Sequence, residues 1–277
     1  MTTSPQAQPN LSLIDKFNPL AEGSFLPPSV LSAVQNAQAD CFDLDGTLLD
    51  NEGMALDQMQ NIIAKELELK LPNALVRALA GRPKEYIVER CMHVGGRVDE
   101  LSSADMAKVL NKITEARAML TEDDDIQPMG GILQYLNYRE RSGVIRIINT
   151  SSERERAELH VKHFPSLADY FTSQAGKLKL ISCETDFGRD FVKPHSRGYI
   201  TAVDRNNIHA DKTVSYEDTV SGVKSAAGAG IKTIIGVVGG THISDRKVRS
   251  NELLEAGAVG VINDFRELIP ALQLAQG

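Results

Sequence analysis

Apolar residues recur along the chain with two different periods, and the change between them divides the sequence. Between residues 51 and 127 they recur every three or four positions, as at Leu56, Met59 and Ile63. This spacing places them along one side of a helix, so the stretch is predicted to be a block of amphipathic helices. From Ile132 onward, short β-branched runs alternate with helix-length segments. That alternation is typical of a parallel sheet with crossover helices.

Polar residues directly follow three of the predicted strands. The three pairs are Asp43 and Asp45, Thr150 and Ser151, and Glu217 and Asp218. Lys193 lies in a loop between the second and third pairs. Ligands of an open α/β sheet bind beyond the carboxyl ends of its strands, so we expect these residues to approach one another.

Asp43 and Asp45 lie two positions apart at the end of the first predicted strand, Asp40–Leu44. This spacing places both carboxylates on one face of the strand, where they repel each other unless a cation joins them. Gly46 permits the sharp turn that follows. Carboxylate oxygens of this kind suit a hard divalent cation. On these residues alone, the alternative is an ordinary strand that ends in an Asp-Gly turn.

Composition and charge limit the classes of partner. The chain has 277 residues, of which 42% are hydrophobic and 24% are charged, as in ordinary globular proteins. The net charge of −7 argues against a nucleic-acid partner, because phosphate backbones need a basic surface. An anionic substrate would therefore need local positive charge from a metal ion, Lys or Arg.

No part of the sequence predicts a membrane or export segment. No apolar run approaches the length that crosses a bilayer, and residues 1–10 lack the basic and apolar regions of a secretory signal. The first arginine is Arg77, which disfavours a mitochondrial transit peptide. Cys41, Cys91 and Cys183 are widely spaced and odd in number, so they are interpreted as free thiols packed in the core. We therefore expect a cytoplasmic protein with no membrane partner.

Four short motifs resemble, in their order, those of one enzyme superfamily. They are Asp-Leu-Asp-Gly-Thr at 43–47, an apolar strand over 144–148 that leads to Thr150, Lys-Pro-His at 193–195, and Tyr-Glu-Asp-Thr-Val-Ser-Gly at 216–222. This set resembles the haloacid dehalogenase superfamily of phosphohydrolases, in the branch that carries a helical cap after the first strand. The resemblance extends over residues 39–270. Four motifs in the expected order are far more specific than any one of them.

The resemblance implies an α/β fold with a Rossmann-like parallel sheet core and an inserted α-helical cap. On this basis the core is predicted to comprise residues 39–50 and 128–277, and the cap residues 51–127. Residues 1–38 would form an N-terminal extension whose role the sequence does not indicate.

The resemblance also implies a role for each acidic residue. Asp43 would be the nucleophile that attacks phosphorus and becomes an aspartyl phosphate. Asp45 would protonate the leaving oxygen and later activate the hydrolytic water. Mg²⁺ would be held by Asp43, the main-chain carbonyl of Asp45, and Asp218. Glu217 would orient a metal-bound water, and the alternative is that it only forms an ion pair with Lys193.

The phosphoryl group would be bound by Thr150, by the main-chain amide of Ser151 and by Lys193. Lys193 would also neutralise charge on the nucleophile. A second interpretation of Thr150 is a simple cap for the helix that follows it. Arg82 in the cap has two open interpretations, a contact with a substrate anion or an exposed arginine at a helix terminus.

The acid at position 45 narrows the reaction that the resemblance implies. Dehalogenases and phosphonatases of this fold carry no acid there, whereas phosphatases and phosphosugar mutases do. The mutases carry a His early in the cap, where this chain has Glu52–Leu56 without one. The prediction is a Mg²⁺-dependent phosphatase for a small phosphorylated metabolite, such as a sugar phosphate or phosphoglycolate. The alternatives are a β-phosphoglucomutase-like phosphotransferase and a non-catalytic sensor or interaction protein.

Overall fold

The computed structural model describes residues 23–73, 75–79, 84–97, 101–118 and 126–270. The strands are β1 (Ala39–Phe42), β2 (Leu49–Asp50), β3 (Gln127–Pro128), β4 (Ile145–Thr150), β5 (Leu180–Ser182), β6 (Thr213–Glu217), β7 (Thr233–Val237) and β8 (Gly260–Ile262). The helices are α1 (Pro28–Gln35), α2 (Glu52–Glu66), α3 (Leu75–Ala78), α4 (Lys84–Val94), α5 (Ser103–Ala118), α6 (Ile132–Arg141), α7 (Arg154–His163), α8 (Pro165–Phe171), α9 (Cys183–Phe187), α10 (Arg197–Arg205), α11 (Val220–Gly228) and α12 (Arg246–Ala256). Short 3₁₀ helices cover Arg189–Phe191, Ala210–Lys212 and Phe265–Leu268.

Six parallel strands form the central sheet in the order β5-β4-β1-β6-β7-β8. All four residues of β1 are buried, as expected for a strand with helices on both faces of its sheet. Phe42 on β1 stacks on Tyr216 of the neighbouring β6, with ring centroids 4.6 Å apart. The strand order places the carboxyl end of β1 between those of β4 and β6. The predicted α/β fold with a Rossmann-like core is therefore confirmed.

Helices α2 to α5 follow β1 and pack on one another around an apolar cluster of their own. The predicted stripe on α2 is buried there, with Leu56, Met59 and Ile63 at most 5% exposed. At the start of α5 the Asp105 amide donates to Ser102 Oγ at 3.1 Å, which satisfies one main-chain donor of the first turn. These helices form the inserted cap. Two short strands, β2 and β3, pair antiparallel where the chain leaves the core and returns to it.

Part of the predicted N-terminal extension packs against the core. Phe25 forms an antiparallel bridge with Val261 of β8, and Val30 and Val34 of α1 are buried in the main apolar cluster. The segment therefore covers the edge of β8, which would otherwise present unpaired main-chain groups. Residues 1–22 lie outside the described part of the chain. The division into an extension, a core and a cap at the predicted limits stays a prediction.

The three cysteines are free and buried, as predicted. Burial raises the pKa of Cys91 and Cys183 to about 11, so both thiols stay protonated at neutral pH. They are packing residues without nucleophilic character. Among the described helices, none combines the length and the apolar character that crossing a bilayer requires.

A buried ion pair joins Asp40 of β1 to Arg139 of α6. The side chains are both fully buried, and Arg139 Nε lies 2.6 Å from Asp40 Oδ2. The Tyr216 hydroxyl also donates to Asp40, at 3.3 Å. Burial raises the pKa of Asp40 even though Arg139 opposes the shift. This carboxylate therefore depends on the guanidinium for most of its charge compensation.

We expect Arg139→Met to lower the free energy of unfolding by about 3–5 kcal/mol, because it leaves the Asp40 carboxylate buried without a cation. Urea unfolding followed by circular dichroism measures the loss. Lys162→Met is the matched control, since Lys162 forms an exposed pair with Glu158 at 2.7 Å, and it should cost less than about 1 kcal/mol. Equal losses in the two variants would contradict this account of the buried pair.

Candidate active site

The predicted site residues meet at the carboxyl ends of three neighbouring strands. Asp43 follows β1, Thr150 ends β4, and Glu217 ends β6. Because β1 lies between β4 and β6, the residues that follow the three strands face one another. The fold thus brings together residues that are more than a hundred positions apart in the sequence. We expected this proximity because polar residues occur at the ends of these strands.

Lys193 connects two of the carboxylates. Its Nζ lies 2.5 Å from Asp43 Oδ1 and 2.6 Å from Glu217 Oε1. The Tyr199 hydroxyl donates to the same Glu217 oxygen. The Lys193 amide donates to Ser151 Oγ at 3.2 Å, which ties the lysine loop to the end of β4. The ion pair between Glu217 and Lys193, one of the two interpretations of Glu217, is therefore present.

Three buried carboxylates form an acidic group at the centre of the site. One oxygen from each of Asp43, Glu217 and Asp218 lies within 4.8 Å of the others. Burial raises the pKa of Asp43, with the neighbouring carboxylates adding to the shift and Lys193 opposing it. One ammonium group does not balance three carboxylates, so the donor set fits a divalent cation with oxygen ligands. The residues present therefore suit the metal ion that the resemblance implies.

The carboxyl group of Asp45 is bound by residues at the start of the cap and after β4. Its Oδ1 accepts from Asn51 Nδ2 at 2.5 Å, and its Oδ2 accepts from Ser152 Oγ at 2.6 Å. Arg156 on α7 approaches Oδ1 at 3.4 Å, and His160 Nδ1 lies 3.8 Å from the same oxygen. The carboxyl group is thus held by residues from the cap junction and from α7.

Thr150 is not the N-cap of the next helix. Helix α7 begins at Arg154, with Glu153 as its N-cap residue. The Thr150 hydroxyl instead accepts the Ser152 amide at 3.0 Å, which folds the chain tightly after β4. Ser151, the next residue, lies beside the Lys193 loop through its contact with the Lys193 amide. Arg82 lies outside the described residues.

Gly46 and Gly222 allow the acidic groups to approach the main chain. Gly46 has a φ of 82°, and a Cβ there would lie 2.4 Å from Asp218 Oδ2. A Cβ on Gly222 would lie 1.7 Å from Glu217 Oε2. Any larger residue would displace a carboxylate at either position, so both glycines are needed to place the acidic group.

A cavity of about 580 Å³ lies between the cap and the core next to this site. The cap lines it with Lys84 and Glu115, and the core lines it with Ser151, Ser152 and Arg156. Ser151 connects the cavity to the phosphoryl-binding candidates, and Ser152 and Arg156 connect it to Asp45. The cavity thus adjoins residues that contact the Lys193 loop and Asp45.

Several site residues were missed from the sequence. Asn51, Arg156 and Tyr199 contact the predicted residues only through the tertiary fold, and nothing in their local sequence marks them. His242 lies beyond the carboxyl end of β7, which ends at Val237, but it does not directly follow that strand as the predicted pairs follow theirs. Its ring is 3% exposed, and its Nε2 lies 3.1 Å from Asp218 Oδ2.

Comparison with known proteins assigns the family. The profile of the haloacid dehalogenase-like hydrolase family matches residues 41–236. A phosphorylated carbohydrates phosphatase of Thermotoga maritima is 24% identical over 225 residues, which cover 81% of this chain and 94% of the relative. A phosphoglycolate phosphatase of Agrobacterium fabrum is 23% identical over 232 residues, with coverages of 83% and 90%.

A solved structure agrees with this assignment. A conserved haloacid dehalogenase-like protein of unknown function from Agrobacterium tumefaciens superposes with a TM-score of 0.65 at 25% identity. The superposition covers 87% of this chain and 99% of that protein. All four motifs lie within the residues that the family profile matches. The chain belongs to the haloacid dehalogenase-like hydrolase family.

Proposed function

We propose that the protein is a Mg²⁺-dependent phosphatase that hydrolyses a small phosphorylated metabolite, a sugar phosphate in particular. The observation that carries the proposal is the environment of Asp43. This carboxylate is 8% exposed, contacts Lys193, and shares a compact acidic group with Glu217 and Asp218. A buried nucleophile with a fixed cation beside it suits phosphoryl transfer through a covalent intermediate.

In the first step an Asp43 oxygen attacks phosphorus, and the bond from phosphorus to the alcohol oxygen breaks. Asp45 gives its proton to that oxygen. Thr150 and the Ser151 amide hold phosphoryl oxygens, while Lys193 offsets the negative charge on the nucleophile and on the phosphoryl group. In the second step Asp45 takes a proton from water, which attacks the phosphoaspartate and releases inorganic phosphate.

Asp45 would exchange one of its present contacts for the leaving oxygen when it acts in this way. Its carboxyl group is held by Asn51, Ser152 and Arg156. Proton transfer requires it to come within hydrogen-bond distance of the leaving oxygen, so at least one of these contacts should break when substrate enters. Ser152 and Arg156 line the cavity, so a bound substrate can compete for both donors.

Asp43, Asp218 and the Asp45 carbonyl are the groups that would hold Mg²⁺, which supplies positive charge to the phosphoryl oxygens. Glu217 is better placed as a supporting residue. One of its oxygens is already engaged by Lys193 and Tyr199. Glu217 therefore fixes the position of Lys193 and limits where Asp218 and Asp43 can move.

The cavity has room and charged groups for a sugar phosphate. Its volume of about 580 Å³ lies within the usual range of small-molecule sites. The charged residues of the lining are mixed in sign, with Lys84, Arg156 and Arg189 beside Glu115, Glu153 and Glu184. Mixed donors and acceptors suit the hydroxyl groups of a sugar better than a second strong anion. The relatives named above act on phosphorylated carbohydrates or phosphoglycolate, which agrees with this class.

The proposal is tested by measuring phosphate release from hexose phosphates, pentose phosphates and phosphoglycolate, each with Mg²⁺ and with EDTA. We expect release that requires Mg²⁺ and is fastest with the sugar phosphates. Undiminished release in EDTA would contradict the metal site. Isomerisation of the sugar phosphate faster than release would establish a mutase, and inertness toward the whole panel would favour the non-catalytic alternative.

We expect Asp218→Ala to weaken Mg²⁺ binding more than Glu217→Gln does, because only Asp218 is assigned as a direct ligand. Loss of a supporting residue typically costs about 10- to 100-fold in metal affinity, so the Asp218 variant should exceed that range. Isothermal titration calorimetry with Mg²⁺ gives the comparison. Asp211→Ala, at an exposed aspartate before β6, is the control and should bind as the wild type does. Weaker Mg²⁺ binding by Glu217→Gln than by Asp218→Ala would instead make Glu217 the direct ligand and Asp218 the supporting residue.

A further inference from the structure

The segment Gly239–His242 lies between the cap and the acidic group. It follows β7, and its last residue contacts the proposed metal ligand, with His242 Nε2 3.1 Å from Asp218 Oδ2. Within the described part of the chain, neither ring nitrogen of His242 has a hydrogen-bond partner, although the side chain is 3% exposed. A buried imidazole without partners is costly unless it serves the group that it faces.

The other side of the segment contacts the cap and its junction. The Thr241 amide and hydroxyl both donate to Asp50 Oδ1, at 2.9 Å each. The Thr241 carbonyl accepts from Arg77 Nη1 at 3.1 Å. Arg77 also pairs with Asp57 through two short hydrogen bonds of 2.6 and 2.5 Å. One guanidinium group therefore joins cap helices α2 and α3 to this loop of the core.

Close packing leaves the segment little room to adjust. A Cβ on Gly239 would lie 1.9 Å from the Asn263 carbonyl oxygen, and one on Gly240 would lie 2.6 Å from the His242 ring. A Cβ on Gly53 of α2 would lie 2.7 Å from Thr241 Oγ1. Main chain packs directly against its neighbours at these points. A displacement of Thr241 would therefore also move His242, because side-chain rotations alone could not accommodate it.

We propose that His242 is a positioning residue for Asp218, and that the segment Gly239–His242 couples docking of the cap, through Arg77, to metal binding. The inference rests on the proposed function, because it takes Asp218 as a metal ligand. With Nε2 protonated, His242 can donate to Asp218 Oδ2 after a small rotation of either side chain and hold the carboxylate in one orientation. Coupling is reciprocal, so a bound cation should in turn favour the docked cap.

The test is Mg²⁺ affinity of the full chain by isothermal titration calorimetry, which needs no substrate. Arg77→Gln should weaken binding by about fivefold or more, although Arg77 belongs to the cap. His242→Ala should weaken it by about tenfold or more, and His242→Gln, which keeps an N–H donor, should recover most of the loss. Asp57→Asn frees Arg77 by a second route and should act in the same direction. Lys112→Gln is the matched control. It breaks another ion pair of the cap, in which Lys112 Nζ lies 2.6 Å from Glu66 Oε2, and this pair does not involve the segment Gly239–His242.

The double variant Arg77→Gln/His242→Ala separates coupling from independent damage. If Arg77 acts through His242, the Arg77 substitution should have little further effect in the His242→Ala background. Additive losses, a normal affinity in Arg77→Gln, or an equal loss in Lys112→Gln would overturn the coupling and leave the proposed phosphatase intact. Failure of the wild-type protein to bind Mg²⁺ would overturn the metal site of the proposed function and this inference with it.

Discussion

Replacing Asp43 by Asn should lower turnover of a sugar phosphate by several orders of magnitude while leaving the protein folded. The amide has nearly the shape of the carboxylate but cannot form the acyl phosphate, so the covalent route is lost. Steady-state phosphate release measures the effect. Asp211→Asn, at an exposed aspartate remote from the site, should keep wild-type turnover.

The same substitution should not destabilise the metal-free protein. Burial and the neighbouring carboxylates raise the pKa of Asp43 above its value in the unfolded chain. At neutral pH the ionised group therefore opposes folding, and this cost grows as the pH rises through the normal range of Asp toward the raised value. The Asp43→Asn substitution removes the cost, while Lys193 keeps its contact with Glu217. A melting temperature in EDTA equal to or above that of the wild type is expected, and near-wild-type turnover would exclude Asp43 as the nucleophile.

Asp45→Asn should slow sugar phosphate hydrolysis by about 10²- to 10⁴-fold, the usual cost of losing a general acid and base. The two steps can be separated with p-nitrophenyl phosphate, whose leaving group needs no proton. The first step should then stay fast, and only the attack of water should be slow. Rapid-mixing measurements should show a burst of p-nitrophenol with an amplitude near one per protein molecule. A proportionate loss in both steps, without a burst, would contradict the two roles assigned to Asp45.

The sequence was most informative where burial dictates a simple pattern. The continuous apolar strands and the amphipathic stripe of α2 were predicted correctly, because each buries one regular face. Helix α12 was missed, since its buried face includes Arg249 and Ser250 beside Leu253 and shows no apolar period. The place on the core where α1 docks was not predicted, because a short apolar segment does not reveal what it packs against.

Some residues of the candidate site could be predicted from the sequence, and others could not. Residues that follow strands could be placed together in advance, since parallel strands bring their carboxyl ends to one edge. Asn51 and Arg156 could not, because their contacts with Asp45 depend on how α7 and the cap junction pack around β1. His242 was missed because it lies in the loop beyond β7 and not directly at the end of the strand. Side chains that support a reactive group are set by tertiary packing, which short motifs do not encode.

The most direct test of the aspartyl phosphate route is to look for the modified residue. Asp45→Asn protein should be mixed with p-nitrophenyl phosphate and Mg²⁺, quenched in acid during the burst, and digested for mass spectrometry. The proposed mechanism predicts one phosphoryl group per protein molecule, attached to Asp43. The phosphoryl group should be absent from a double variant in which Asp43 is also changed to Asn. A burst of p-nitrophenol with Asp43 unmodified, or with the phosphoryl group on a different residue, would contradict the mechanism.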